Sequence, residues 1–238
     1  MPEPRRRISS GPISGERRPG GRDRLNAKGS ATRQVLLETA ERLFAEHGIA
    51  MVPLRDVAVA AGQRNNAAVQ YYFGDRESLL REITSYRAAA SEASRVRALA
   101  DLLAGDGKPQ VHDLVDAFVR SLAGHVEEDN HYLGFLSRYI VERGGYAGLE
   151  GVVSPTTVEA FTSLLYELLP GHERPVLDER WMLVMTTTVH TLSRYQISMR
   201  TDTAQASVRD LLGDLVEFLA GGLAAPCRQP AAPARLPD

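Results

Sequence analysis

Cysteine is almost absent from this sequence, because Cys227 is the only one among 238 residues. A single thiol cannot form an intrachain disulfide, and disulfide-poor sequences are typical of the reducing cytoplasm. One thiol also cannot supply the ligands of a structural zinc site. We therefore expect a cytoplasmic protein in which Cys227 has no structural role.

Long apolar runs are missing as well. No segment approaches the roughly 20 apolar residues that a membrane-spanning helix needs. A secretory signal needs an apolar stretch of about 7 to 15 residues after its charges, whereas Ile8 and Ile13 stand alone among polar residues. The sequence therefore predicts neither a signal peptide nor a membrane partner.

Sequence patterns of enzymes and metal sites are also lacking. His112, His125 and His131 lack the i, i+4 pairing of a zinc-binding helix, and G-x-S-x-G, phosphate-loop and dinucleotide motifs are absent. We expect no enzyme activity, no metal and no cofactor. Runs of β-type alternation and repeats of fixed period are missing too, which favours an all-α fold.

The segment from Leu54 to Leu80 contains two short helical patterns around a glycine-centred turn. Four apolar residues spaced i, i+3, i+4 and i+7 form one helix face: Leu54, Val57, Ala58 and Ala61. Gly62 ends this helix, since glycine readily adopts the left-handed conformation. A second helix is predicted from about Asn65, so the spacing is that of a helix-turn-helix. A polar surface turn between packed helices is the alternative.

The second helix of this pair sorts its residues onto two faces. Ala68, Val69, Tyr72 and Phe73 cluster on one side, and Asn66, Ala67, Gln70 and Tyr71 on the other. Amide side chains can pair with adenine, a small apolar side chain can meet a thymine methyl, and a tyrosine hydroxyl can reach a phosphate or a base. The polar side therefore predicts a DNA-reading face.

Two further helices flank this pair. Upstream, one apolar face followed by Gly48 predicts a preceding helix; its members are Leu36, Ala40, Leu43 and Phe44. Downstream, Asp75 is the expected N-cap of a long helix that continues to about Ala104. Arg76 in the first turn opposes the helix dipole, which suits a nearby phosphate, although a solvated arginine is the alternative.

These features resemble the TetR family of transcriptional regulators over roughly residues 30–83. The resemblance rests on four pieces: LFAEHG, LRDVAVAAG, AAVQYYFG and DRESLL. It implies that the third helix enters the major groove and that Arg76 lies near the DNA backbone. Pro53 replaces the hydroxyl residue usual at the start of the second helix, and the turn from Gln63 to Asn66 is one residue longer than usual. The candidate DNA-binding residues are Arg64, Asn65, Asn66, Ala67, Gln70, Tyr71, Arg55, Arg76 and Arg33.

The charge is divided unevenly along the chain. Residues 1–81 contain 14 Arg or Lys against 9 Asp or Glu, whereas residues 82–238 contain 14 against 21. The basic excess thus coincides with the DNA-reading motif. Much of it lies within residues 1–29, which we expect to be a disordered arginine-rich arm. Such an arm can add phosphate contacts to DNA. The alternatives are a solubilising tail and a start codon that has been assigned too far upstream.

The predicted domain organisation is an arm at 1–29, a three-helix helix-turn-helix domain at 30–82, a larger helical domain at 83–224 and a disordered tail at 225–238. In the larger domain, helices are expected at about 110–128 and 131–143. Another begins at Ser154 and Pro155, after a glycine-rich connection, and ends before Pro170. Two C-terminal helices follow.

The C-terminal helices predict a homodimer. The segment WMLVMTTTVHTL is apolar or small on nearly every side, and the last helix carries a long apolar stripe. The resemblance implies that both helices pair with their copies, and intrachain core packing is the alternative. The candidate interface residues are Val184, Thr188, Leu192, Val208, Leu211, Leu215, Phe218 and Leu219.

The resemblance also implies a small-molecule effector, of unknown identity, bound among the middle helices. Aromatic side chains are candidates for the pocket wall, with ordinary core packing as the alternative. The candidate pocket residues are Phe118, Tyr132, Phe135, Tyr139, Phe161, Trp181, His190, Arg194 and Tyr195.

The sequence thus predicts an all-α regulator that binds an inverted-repeat operator in double-stranded DNA as a dimer, and we expect a repressor controlled by its effector. The alternative is a helical interaction module whose basic arm gives non-specific affinity for nucleic acid.

Overall fold

A computed structural model describes residues 21–227 except 106, 128, 150, 151, 153 and 154. Within this part of the chain the fold is all-α, as predicted, and contains no strand. The helices are α1 (Gly21–His47), α2 (Leu54–Ala60), α3 (Ala68–Phe73), α4 (Arg76–Ala104), α5 (Val111–Glu127), α6 (Tyr132–Arg143), α7 (Pro155–Leu168), α8 (Arg174–Arg200) and α9 (Val208–Ala224).

Helix α1 begins earlier than the sequence analysis predicts. It includes residues 21–29, which were assigned to the disordered arm. No proline occurs between Pro19 and Pro53, so every residue of this segment can donate its backbone N–H to a helix. Residues 1–20 of the predicted arm lie outside the described residues. At its other end α1 closes at Gly48, which has a φ of 91° and donates its N–H to the Phe44 carbonyl, as predicted.

Helices α2 and α3 form the predicted helix-turn-helix. Val57 and Ala58 are buried on the inner face of α2, and Gly62 has a φ of 69° in the turn. Pro53 is the N-cap of α2, one position before the first helical residue. Helix α3 starts three residues later than predicted, because the Asn65 side chain accepts the Ala67 N–H at 2.9 Å and forms a turn ahead of the helix.

The start of α4 confirms the predicted cap. The Asp75 carboxylate accepts the Ser78 N–H at 2.7 Å, and this hydrogen bond lowers the pKa of Asp75 below its ordinary value. Helix α4 then runs through to Ala104, the predicted end. It therefore joins the helix-turn-helix to the larger helical part of the chain.

Helices α5 to α9 complete the larger part. The amphipathic helix α5 lies at its centre and packs against α4, α8 and α9, with Leu114, Val115 and Val119 fully covered. The observed bounds of α5, α6 and α7 are within about two residues of those predicted, except that the Ser154 cap lies outside the described residues. None of the described helices combines the length and apolarity required to cross a bilayer.

The predicted C-terminal tail starts too early. Arg180 donates to the carbonyls of Leu223 and Ala225 at 2.9 and 2.5 Å, so ordered contacts continue beyond α9 to residue 225. An arginine that reaches back to main-chain carbonyls satisfies acceptors that the end of a helix leaves open. Residues 228–238 lie outside the described residues.

Candidate nucleic-acid interface and regulatory cavity

The two faces predicted for the recognition helix are confirmed. Ala68, Val69 and Phe73 are buried against the helix-turn-helix core. The opposite side is exposed, and it consists of Asn66, Ala67, Gln70 and Tyr71. Tyr71 is 80% exposed although tyrosine usually covers part of its ring. Helix α3 therefore presents a polar and aromatic surface that its own core does not use.

A shallow groove of about 540 Å³ lies beside this surface. Its wall includes five of the candidate DNA-binding residues, which the chain brings together from α2, the turn, α3 and α4: Arg55, Asn66, Ala67, Gln70 and Arg76. The groove has a mixture of amide and guanidinium donors, which is the chemistry that base edges and phosphates require.

The remaining candidates lie outside the groove. Arg64 and Asn65 are exposed in the turn before α3. Arg33 is on α1, where its guanidinium pairs with Glu82 at 2.7 Å and lies 5.0 Å from the centre of the Phe73 ring. Its charge is therefore partly engaged within the protein.

Arg76 has a structural role that the sequence analysis missed. Its guanidinium donates to the carbonyls of Ile49 and Val52, at 2.5 and 2.8 Å, and lies 5.7 Å from the centre of the Phe44 ring. It fixes the turn between α1 and α2 from the side of α4. Main-chain carbonyls have no residue signature, so the sequence offered no signal for this contact.

Glu142 on α6 holds the same turn from the opposite side. Its two carboxylate oxygens accept the N–H groups of Ile49 and Ala50, at 2.8 and 2.9 Å. Charge-assisted hydrogen bonds of this kind are stronger than neutral ones. The turn that leads into the helix-turn-helix is thus clamped by one side chain from α4 and one from α6. We call Arg76 and Glu142 the turn clamp.

The residue that precedes α6, His131, is attached to α1 as well. Glu41 is buried on α1, accepts the N–H of His131 at 2.7 Å and pairs with Arg87 of α4 at 2.7 Å. Burial and the charge of Arg200 lower the pKa of His131. Helix α6 is therefore joined to the DNA-reading part at both ends, by Glu41 at its start and Glu142 near its close.

A cavity of about 600 Å³ lies among α4, α5, α6, α7 and α8. Four predicted pocket residues line it: Phe118, Tyr132, Phe161 and Trp181. The other lining residues are not among the predicted ones: Thr84, Arg95, Leu122, Leu136, Tyr146, Ala147, Leu149, Val158, Glu159, Met182, Met185 and Val189. Most are ordinary apolar residues, whose spacing along single helices does not distinguish a cavity wall from packed core.

Five predicted pocket residues do not line the cavity. Phe135 packs against Phe44 of α1, and the Tyr139 hydroxyl donates to the Ala147 carbonyl at 2.6 Å. The other three are engaged or exposed elsewhere: His190 hydrogen-bonds Ser137, Arg194 is exposed and Tyr195 donates to the Leu211 carbonyl. None of the five is part of the cavity wall, so their assignment to the pocket is corrected.

Polar groups in the cavity are few. Arg95 is only 8% exposed and donates to Glu92 at 2.9 Å, and the other oxygen of Glu92 accepts the Thr157 hydroxyl. Burial raises the pKa of Tyr132 to about 12 and also raises the pKa of Tyr146. The Tyr146 hydroxyl donates to the Met185 carbonyl at 3.3 Å.

The predicted dimer interface needs a larger correction. Five of its residues are buried within one chain, where no partner can reach them: Val184, Thr188, Leu192, Leu215 and Leu219. Val208 and Leu211 are half-buried, and only Phe218 is largely exposed, at 72%. The intrachain alternative is therefore right for most of this stripe. Leu183 and Ile197 on α8 are exposed instead.

Comparison with known proteins agrees with the helix-turn-helix and with the helical part that follows. The chain matches the family model of bacterial regulatory proteins of the tetR family over residues 36–83. It also matches the model of the tetracyclin repressor-like C-terminal domain over residues 112–222. No curated protein matches the sequence.

Solved structures of other regulators are similar to this chain at low sequence identity. The fatty acid degradation regulator FadR from Bacillus halodurans is 14% identical with a TM-score of 0.51, and 80% of this chain and 95% of that chain are covered. NalD from Pseudomonas aeruginosa, described as the secondary repressor of the MexAB-OprM multidrug efflux pump, is 19% identical with a TM-score of 0.49 and coverages of 81% and 97%. A TetR family transcription regulator from Marinobacter aquaeolei VT8 is 14% identical with a TM-score of 0.47 and coverages of 83% and 97%.

The helix-turn-helix and the C-terminal part are each matched by a model of the same family, and their order along the chain is the order of the observed helices. This chain therefore belongs to the TetR family of DNA-binding transcriptional regulators.

Proposed function

We propose that this protein is a dimeric repressor that reads an inverted-repeat operator and leaves it when an effector fills the cavity. The exposed side of α3 is the observation that supports sequence-specific DNA binding. Gln70 and Asn66 lie beside the groove that Arg55 also lines. Amides specify bases and arginine adds phosphate affinity, so this surface suits sequence-specific binding. Such a function places the protein with the chromosome, in the cytoplasm.

A second copy of the chain is the proposed cover for the exposed apolar residues of α8 and α9. Leu183 is 63% exposed on α8, Ile197 is exposed three to four turns further along, and Phe218 is exposed on the neighbouring helix α9. Exposed apolar side chains grouped on adjacent helices mark interaction surfaces. A two-fold pairing through this face would present two copies of α3 to successive major grooves.

The proposed route from cavity to DNA runs through α6. Tyr132 and Leu136 line the cavity, and Glu142 on the same helix holds the turn before α2. Because α6 is bonded at both ends to the DNA-reading part, a ligand that displaces α6 shifts the turn and α3 with it. The ligand thus favours a conformation in which the two reading helices no longer match the groove spacing.

Selection of random duplex DNA by the purified protein tests the DNA-reading part. We expect one palindromic sequence, held at least about 10³-fold more tightly than non-specific DNA. Gln70→Ala should lose roughly tenfold affinity for that sequence and little affinity for random DNA, because it removes base contacts. Gln110→Ala, on an exposed residue far along the chain, is the matched control. Selection of no sequence would favour the alternative of a helical module that binds nucleic acid through its basic arm.

Sedimentation of two glutamate variants tests the dimer face. Phe218→Glu should give folded monomers, because the phenyl ring is exposed and no core contact is lost. Leu215→Glu should lower the helix content, because that side chain is buried within the chain. Leu103→Glu, at an exposed position on α4, is the control. A Phe218→Glu variant that stays dimeric would refute the proposed face.

A further inference from the structure

We propose that the cavity takes an uncharged, mainly apolar molecule with an oxygen acceptor of the carbonyl type, which Arg95 and Tyr132 recognise by donating hydrogen bonds. This inference rests on the proposed effector function and adds the chemical class of the effector. It depends on three properties of the cavity, which are the shape of its apolar wall, the donors that remain available, and the balance of charge.

The apolar wall is formed mainly by three aromatic rings. The Phe118 ring lies 5.2 Å from that of Trp181 and 6.0 Å from that of Phe161, and the Phe161 and Trp181 rings stack at 5.8 Å. Leu122 and Val189 add aliphatic surface. A volume of about 600 Å³ is typical of sites for drug-sized ligands. Most of the ligand surface must therefore be apolar.

The available polar groups are hydrogen-bond donors. Arg95 uses its Nε and Nη2 atoms for Glu92, and a guanidinium has five N–H groups, so donors remain for a ligand. The Tyr132 hydroxyl makes no hydrogen bond to any described residue, and its raised pKa keeps it protonated at neutral pH. Thr84 and Tyr146 donate to carbonyls of the protein instead. A ligand oxygen that accepts from Arg95 and Tyr132 would use donors that the fold leaves open.

The charge balance excludes an ionised head group. Glu92 already neutralises Arg95, so a ligand carboxylate would bring a second anion to one guanidinium in a site of low polarity. Glu159 lines the cavity as an exposed carboxylate and adds further negative charge. A cationic ligand would meet the guanidinium itself. The neutral acceptor avoids both penalties, since it requires no buried net charge.

Fluorescence of Trp181 gives a direct test, because it is the only tryptophan in the chain and lines the cavity. The probes are methyl octanoate, octanoate, octyltrimethylammonium and nonane, which share an apolar body and differ in the head group. We expect methyl octanoate to bind at least about fivefold more tightly than octanoate and octyltrimethylammonium, which would bring a charge into the cavity. Nonane, which cannot accept a hydrogen bond, is the reference against which variants are compared. Tighter binding of octanoate or of the ammonium would overturn the proposal, as would the absence of any fluorescence change.

Variants identify the donors. Tyr132→Phe should weaken the binding of methyl octanoate about fivefold and leave the binding of nonane unchanged. Arg95→Met removes the cation beside the Glu92 carboxylate, so it is combined with Glu92→Gln, which avoids a buried charge without a counter-ion. Tyr86→Phe, outside the cavity, is the control. An unaltered ratio of methyl octanoate affinity to nonane affinity in both cavity variants would refute the assignment. The selection of random duplex DNA is carried out on the same protein. If a palindromic sequence is still selected while the ligand test fails, the ligand proposal is wrong and the DNA-reading function is not.

Discussion

Glu142→Ala removes one half of the turn clamp. The substitution leaves the N–H groups of Ile49 and Ala50 without their acceptor. A hydrogen bond to a charged group contributes about 1.5–3 kcal/mol when it is shielded from water, and much less when water can replace the acceptor. The Ile49 contact is partly buried and the Ala50 contact is exposed, so we expect a loss of roughly 2–3 kcal/mol.

Thermal unfolding followed by circular dichroism measures this loss. For a chain of this length, about 1 kcal/mol shifts the midpoint by roughly 2–4 °C, so Glu142→Ala should melt about 4–12 °C lower. Glu142→Gln retains one acceptor oxygen and should lose about half as much. Glu167→Ala, an exposed glutamate on α7, should change the midpoint by less than about 1 °C.

DNA binding separates coupling from stability. At a temperature where Glu142→Ala and the parent protein are both folded, the variant should bind the operator but respond less to a cavity ligand, since α6 no longer holds the turn. A midpoint within about 1 °C of the parent protein would refute the energetic argument. If Glu142→Ala lowers the melting midpoint but responds normally to the ligand, α6 does not transmit the signal through this carboxylate.

The remaining predictions concern one glycine and one histidine. Gly148 has a φ of 87°, and a Cβ there would lie 2.9 Å from the Tyr139 hydroxyl, so Gly148→Ala should cost about 2 kcal/mol in chemical unfolding. Gly213→Ala, with no atom within 4 Å of its Cβ, should be neutral or stabilising, and equal losses in both would contradict the argument. The pKa of His131 is lowered from 6.5 by burial and by Arg200, so the unfolded chain binds the proton first as pH falls. Unfolding free energy should therefore decline below about pH 6.5 and be fully retained above pH 7.5; His131→Gln should flatten that part of the profile in urea titrations.

Local patterns predicted the helix-turn-helix well because their physical causes lie within a few residues. The Asp75 cap depends on a backbone N–H three positions away, and the two faces of α3 follow from helical periodicity. The start of α3 was placed too early because periodicity does not reveal the turn that the Asn65 side chain forms. Such a turn competes with the helix for the same backbone groups.

Contacts between distant segments were predicted poorly. An apolar stripe shows which residues share a helix face, but it does not show whether the same chain or a partner covers them. Leu215 and Leu219 are therefore core, while Phe218 between them is exposed. Arg95 and Tyr146 reach one cavity from α4 and from the connection after α6, and no spacing along the chain relates them.

The turn clamp holds its turn by hydrogen bonds to the main chain alone, and this has a consequence for building new regulators. The hydrogen bonds of Arg76 and Glu142 go only to carbonyl and N–H groups between residues 49 and 52, and Arg76 also lies over the Phe44 ring of α1. A reading domain taken from another family member should therefore be accepted if it supplies the same backbone path and an arginine at position 76, whatever side chains its turn has. Operator choice and effector choice can then be recombined as independent parts.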